Sequence, residues 1–260
     1  MKNYGKLLKT AVAAALLCSC GTQIEMVETV PAKVSFGRGT TIVVNSPMRD
    51  YGLRKEMREH IVANGFYKLA DRGGANSTAY LNFRDVLLKR YEPAKKDQLP
   101  SARLFATVEV LHNNYTEYYK SFNESVRLDP QGGEHVEEAR HHIVRSIMRD
   151  ITPHDEMFSV WVKGNKENPA IEQGAVACRR GYLDQAESLA KQALKVNPQE
   201  AEAYYLLGVV ERRRHNFEKS SEYFRKANAL APSFKYSSAI EKNREMVANA
   251  LKVKRQMAGE

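Results

Sequence analysis

Between Ala170 and Pro232, small and apolar residues recur at intervals of three and four, and the arrangement occurs twice. Ala170, Gly174 and Ala177 share one helical stripe, Gly181 breaks it, and Ala186, Leu189, Ala190, Ala193 and Leu194 line a second helix. The next copy runs through Tyr204, Leu207 and Gly208, turns near His215-Asn216, and continues through Phe217, Phe224 and Ala227. Gly174 recurs as Gly208, Ala193 as Ala227 and Pro198 as Pro232, each 34 residues on (208 − 174 = 34). A fixed period of this size marks stacked helical hairpins. The prolines cannot continue a helix and close each unit. From Tyr236 to Lys254, a stripe of Ile240, Met246, Val247, Ala250 and Leu251 stands against Lys242, Arg244, Lys252 and Lys254. It predicts a capping helix with a polar outer face.

The earlier pattern is mixed. Thr41–Val44 predicts a buried strand. Leu53, Met57, Ile61 and Val62 predict a helix ended by Asn64-Gly65, and Phe66–Ala70 predicts a strand followed by an Asp71–Gly74 turn. Ser77–Arg90 reads as a helix with Tyr80, Leu81, Val86, Leu87 and Tyr91 apolar, and Pro93–Pro100 as a charged loop. Arg103–Leu111 and Tyr115–Leu128 read as an antiparallel hairpin about His112-Asn113-Asn114. Gly132-Gly133 leads into a helix carrying Val136, Ala139, Ile143, Ile147 and Met148, which stops by Pro153. Phe158–Val162, with the single Trp161, reads as a closing strand. The expected class is α+β: an α/β sandwich with a mixed sheet over residues 40–164, then an all-α hairpin pair with its cap over 167–257. Residues 21–39 read as a tether.

The repeated stretch resembles the tetratricopeptide repeat over roughly residues 167–234. The matching positions are Gly174, Gly181, Ala186, Ala193 and Pro198, then Tyr204, Leu207, Gly208, Phe224, Ala227 and Pro232. Ala170, Ala190 and Ser220 depart from the usual residue types. In that family the first helix of each hairpin lines a concave groove, so the resemblance implies a partner-binding face made by Ile171, Ala175, Arg179, Tyr205, Val209, Arg212 and Arg213. Aromatics and arginines are common interface anchors; the plain alternative is that the arginines are simply solvated. The family's carboxylate-clamp set of Lys and Asn is missing. The leading strand, the amphipathic helix and Gly-Phe-x-x-x-x-Asp-Arg at Gly65–Arg72 are similar to the small α/β domain of curli-secretion-type lipoproteins, penicillin-binding-protein activators and the TolB amino-terminal domain. That resemblance implies a domain that binds partners or self-associates, so a homo-oligomer through the α/β domain stays open.

The chain of 260 residues opens with Lys2, Lys6 and Lys9, an apolar Leu7–Leu17 and then Cys20. The stretch is too short to span a bilayer stably and reads as an export signal over residues 1–20. Leu17-Cys18-Ser19-Cys20 looks like a bacterial lipobox. The resemblance implies cleavage before Cys20 and acylation there, and Gly21, not being an acidic sorting residue, implies the outer membrane facing the periplasm. A plain secretory signal is the alternative. Removing residues 1–20 takes the formal charge from +9 to 9 − 3 = +6, a basic balance suited to acidic head groups or acidic protein patches. Cys178 is then the only thiol besides Cys20, so no intrachain disulfide is expected. An exported chain without a nucleic-acid motif is not expected to bind nucleic acid.

His135, His141, His142 and His154 lie among Glu137, Glu138, Asp155 and Glu156, and Glu138 with His142 falls at i,i+4 spacing on one helix. That could hold a metal, or be a solvated face with charge pairing. No His-Glu-x-x-His, Gly-x-Ser-x-Gly or Gly-Lys-Ser/Thr string occurs. The sequence names no cofactor, metal ligand or catalytic residue. The expectation is a lipid-anchored, non-catalytic envelope protein that holds other envelope proteins; the alternative is an envelope hydrolase or metal-dependent enzyme acting on peptidoglycan or glycan.

Overall fold

A computed structural model describes residues 21–74, 78–92, 100–129 and 133–259. The export signal, Cys20, Gly132 and most of the Pro93–Pro100 loop lie outside them. Eight strands and seven helices are described: β1 (Thr22–Val30), β2 (Thr41–Asn45), α1 (Leu53–Asn64), β3 (Lys68–Ala70), β4 (Thr78–Tyr91), β5 (Ser101–His112), β6 (Tyr115–Leu128), β7 (Glu134–His135), α2 (Glu137–Ile151), β8 (His154–Val162), α3 (Ala170–Arg179), α4 (Leu183–Val196), α5 (Ala201–Arg213), α6 (Phe217–Leu230) and α7 (Phe234–Ala258). They fall into two compact units. One holds residues 30–154 and 251–259, the other residues 21–29 and 155–250. Among the described residues, no helix is long and apolar enough to cross a membrane.

The first unit is a mixed sheet in the order β3-β2-β4-β5-β6-β7. β2 runs parallel to β3 and β4, and the remaining pairs are antiparallel. Alternation decides its faces. Ala79, Leu81 and Phe83 on β4, the even residues from Ala102 to Val110 on β5, and Tyr118, Phe122 and Val126 on β6 join one core with Leu53, Met57 and Ile61 of α1 and Ala139, Ile143 and Ile147 of α2. The opposite face carries a polar ladder: Asn45 donates to Asn82 (2.9 Å), and Asn82 (3.2 Å) and Arg84 (2.7 Å) donate to Glu109. The unit is thus an α/β sandwich with a mixed sheet. The β5–β6 turn is made by Asn113 and Asn114, both at positive φ (52° and 64°), the backbone of a tight two-residue hairpin turn.

β4 corrects the sequence reading, which placed a helix over Ser77–Arg90. Ala79, Leu81 and Phe83 are buried at period two. A bulge between Arg84 and Leu87, with Asp85 at φ 48°, then shifts the alternation. The shift breaks the period-two pattern that would have marked the strand in the sequence. β3 is likewise shorter than the predicted Phe66–Ala70 strand, because Phe66 and Tyr67 turn into the core instead.

The second unit is built on two helical hairpins, α3–α4 and α5–α6, and the amino-terminal part of α7. It is not all-α as expected: β1 and β8 form a two-stranded ribbon within it. The segment read as a tether therefore contains a strand, and the strand read as closing the α/β domain belongs to the other unit. Gln23 donates to Ser159 (2.7 Å) and Thr29 to Asp155 (2.7 Å), so the strands run in opposite directions. The hairpins are joined by a charge network, in which Arg214 reaches Asp184 and Glu187 (2.5 Å each) of the first hairpin and Glu211 (3.1 Å). α7 buries Tyr236, Ala239, Asn243 and Met246, whereas Val247 and Leu251 of the expected stripe are exposed. Met246 alone of the expected stripe is buried, and the buried Asn243 donates to the Phe217 carbonyl and the Ser221 hydroxyl (3.1 Å each).

Two stability predictions follow from this packing. A Cβ on Gly208 would collide with the ring of Phe224, itself fully buried. Gly208→Ala is expected to cost about 1–3 kcal/mol of stability in urea unfolding. Combining it with Phe224→Leu is expected to cost less than the sum of the two single changes; strict additivity would mean that the close approach is not the cause.

In the α/β unit the buried Asp150 carboxylate accepts from Lys33 (2.5 Å), Lys120 (2.7 Å) and Tyr118 (3.0 Å). Burial pushes its pKa up, but the hydrogen bonds from Lys120, Lys33 and Tyr118 together hold it below the ordinary value. Its stabilising contribution is therefore complete above the unfolded-state pKa of about 4 and lost as pH falls through the folded-state value. Asp150→Asn is expected to lower stability by about 1–3 kcal/mol at pH 7, and the difference from the native chain to shrink below about pH 4.

Candidate functional site

The seven residues expected to line a partner groove do not form an open surface. Ile171, Ala175, Tyr205 and Val209 are buried in one core with Ile24 and Met26 of β1 and Val160 and Val162 of β8. The ribbon has taken the position in which a partner was expected. Hydrogen bonding seals it: Thr22 donates to Glu172, and the buried Glu28 accepts from Lys242 (2.7 Å) and Asn249 (2.8 Å) of α7. Arg212 is 2% exposed and donates to Asn243 Oδ1 (2.5 Å) and the Ala239 carbonyl (2.6 Å), with its guanidinium 4.7 Å from the centre of the Phe224 ring. Arg213 is half-buried and donates to the Cys178 carbonyl. Only Arg179 is exposed. Cys178 is buried, and burial raises its thiol pKa, which keeps it protonated and inert.

What the ribbon leaves is a groove of about 540 Å³ between β8 and the start of α7. Its floor is Tyr205, Ala239 and Arg212, and its walls are Phe158, Trp161, Phe234, Lys235 and Lys242. Trp161 is 52% exposed and Phe234 87% exposed, large aromatic surfaces left in water at the groove's rim. Lys235 stands 4.1 Å over the Tyr205 ring and pairs with Glu202 (2.7 Å to Oε2). Burial pushes the Glu202 carboxyl up and the Lys235 ammonium down, and each offsets the other's shift. Burial also pushes Arg212 down to about 10, which leaves it charged at neutral pH. No carboxylate lies within ion-pair distance of Arg212 among the described residues. The groove thus combines an aromatic rim, walls that carry two lysines and a floor that holds a buried arginine. The sequence offered one signal for it, the single tryptophan; Phe234 drew no attention because it sits beside a helix start.

The histidines do not gather as their sequence proximity suggested. His135 lies 3.6 Å from Asp129, His142 lies 3.7 Å from Glu124, and His154 Nδ1 lies 3.1 Å from the Thr152 carbonyl. Glu138 and His142 make no joint site. His141 instead meets α1: its Nδ1 is 3.0 Å from Glu56 Oε1, and His60 Nε2 is 3.9 Å from the same oxygen. The two imidazole rings are 5.6 Å apart. His60 went unremarked in the sequence, although Glu56 and His60 stand at i,i+4 spacing there.

No protein-family model matches the chain, and no curated protein matches it. Among solved structures, a minor lipoprotein from Acinetobacter baumannii aligns at 14% identity, covering 43% of this chain and 82% of that one, with a TM-score of 0.30. A likeness that slight establishes neither fold nor function.

Proposed function

We propose that this chain is a lipid-anchored, non-catalytic envelope protein that grips another envelope protein through the groove between β8 and α7. The observation that carries the reading is the pair of exposed aromatics, Trp161 and Phe234, flanking that groove. Exposed tryptophan and phenylalanine beside a concave surface are characteristic of interface anchors. The cationic floor favours a partner that presents an apolar side chain next to a carboxylate.

On this reading the two hairpins are tetratricopeptide-type repeats. The 34-residue offset, the packing of Gly174 against Leu206 and Leu189, and that of Gly208 against Phe224 support it. The lipobox supports acylation of Cys20. β1 begins at Thr22, only two residues later, so the ribbon would lie within about 7 Å of the acylated residue. Several acyl chains at about 0.8 kcal/mol per methylene hold such a protein firmly at a bilayer. The outer membrane facing the periplasm, and self-association through the α/β unit, are proposals that rest on the sequence alone.

Two measurements test this. Cys20→Ala is expected to abolish labelling by radioactive palmitate and to move the protein from the membrane to the soluble fraction; unchanged fractionation would sink the anchor. In a pull-down from solubilised envelopes, Trp161→Ser with Phe234→Ser is expected to lose a partner that the native chain and Arg179→Glu both retain. Equal recovery by the double variant would remove the groove from the account. Arg212→Glu is unsuitable for this test, because it would bury an acid in the core and unfold the unit.

A further inference from the structure

We propose that Glu56, His60 and His141 bind a divalent transition-metal ion of the zinc type, at a site separate from the partner groove. The site is built from two helices. Glu56 and His60 stand one turn apart on α1 and share a face, and His141 arrives from α2, which packs beside it. One donor atom from each residue lies within 4.8 Å of the others. His141 Nδ1 and Glu56 Oε1 are 3.0 Å apart, and His60 Nε2 and Glu56 Oε1 are 3.9 Å apart. Tetrahedral zinc with ligand bonds near 2.0–2.1 Å holds its donors about 3.3 Å from one another. The two separations to Glu56 bracket that value and the third is within 4.8 Å, so small side-chain rotations would close the cage.

The surroundings fit a cation. Glu56 spends its second oxygen on Arg140 Nε, and Arg140 also donates to the Tyr51 carbonyl (3.1 Å). The carboxylate is thereby held in one orientation with Oε1 turned toward His141 and His60, the kind of outer contact that metal-binding carboxylates use. The hollow beside the three ligands is about 760 Å³ and is lined by four carboxylates, those of Glu56, Glu59, Glu137 and Glu138, against Lys55 and Arg140. Its formal balance is −4 + 2 = −2, which draws a cation in. Two imidazoles and one carboxylate select zinc, copper or nickel over magnesium or calcium, which favour all-oxygen sites. Three protein ligands leave one position open to the hollow, for water or for a donor from another molecule.

The experiment uses the chain without a histidine tag, freed of metal by a chelator that is then dialysed away. Zinc is titrated in by calorimetry. One ion per chain is expected, with binding weakened by about tenfold or more in His60→Ala and again in His141→Ala, and unchanged in His135→Ala and His142→Ala. Cobalt is expected to give the intense visible bands of a four-coordinate site, absent in the His60→Ala/His141→Ala pair. Both histidines have partly exposed side chains (35% and 48%), and circular dichroism of each variant verifies that the fold persists. No saturable zinc binding by the native chain, or equal binding by the double variant, overturns the proposal.

Discussion

The second unit depends on one non-local interaction: the β1–β8 ribbon packed into the inner face of the helical hairpins. Two hairpins are fewer than stacked repeats generally need to bury their faces. Here Ile24, Met26, Val160 and Val162 supply the missing layer against Ile171, Ala175, Tyr205 and Val209. β1 comes from the far side of the α/β unit in sequence, and its hydrogen bond from Thr22 to Glu172 spans 150 residues. The charge on Glu28 enters the interior with it and is offset there by Lys242 and Asn249. Burying a carboxylate is costly unless it is paired, so the contact specifies how β1 seats as well as holding it.

That packing explains what was legible in the sequence and what was not. Elements written by local periodicity could be read: α1 with its Gly65 end, the β5–β6 hairpin about Asn113-Asn114, and the four hairpin helices between Pro169 and Pro232. β4 was misread because a bulge at Arg84–Leu87 interrupts its period two midway. β1 was taken for a tether because a lone edge segment shows no partner in sequence, although Thr22, Ile24, Met26 and Glu28 alternate in burial along it. The expected groove failed for the same reason. Ile171, Ala175, Tyr205 and Val209 share a core with β1 and β8, and nothing local says that the chain covers them itself.

The candidate sites follow the same division. His60 and Glu56 were visible as an i,i+4 pair, while their meeting with His141 depends on α1 packing beside α2. His135, His141, His142 and His154 looked like a cluster because they are close in number, yet successive helix positions point in different directions. His141 and His142 are neighbours in sequence and contact Glu56 and Glu124 respectively. Proximity along a helix is a poor guide to proximity in a site; spacing of three or four across two helices is the better one.

On the proposed reading, anchor, ribbon and groove form one mechanical series. The lipid would sit on Cys20, which lies outside the described residues; β1 begins at Thr22 and pairs with β8, and β8 forms a wall of the groove. Along β1, Thr22 donates to Glu172 of α3 and Glu28 accepts from Lys242 of α7, so the strand is tied to the helices near both of its ends. Arg212 lies in the floor of that groove: its charge is buried with amide and carbonyl acceptors and, among the described residues, no carboxylate within ion-pair distance. A partner's acid placed in the groove would supply the missing counter-charge in a low-dielectric setting, where such a pairing is stronger than at the surface.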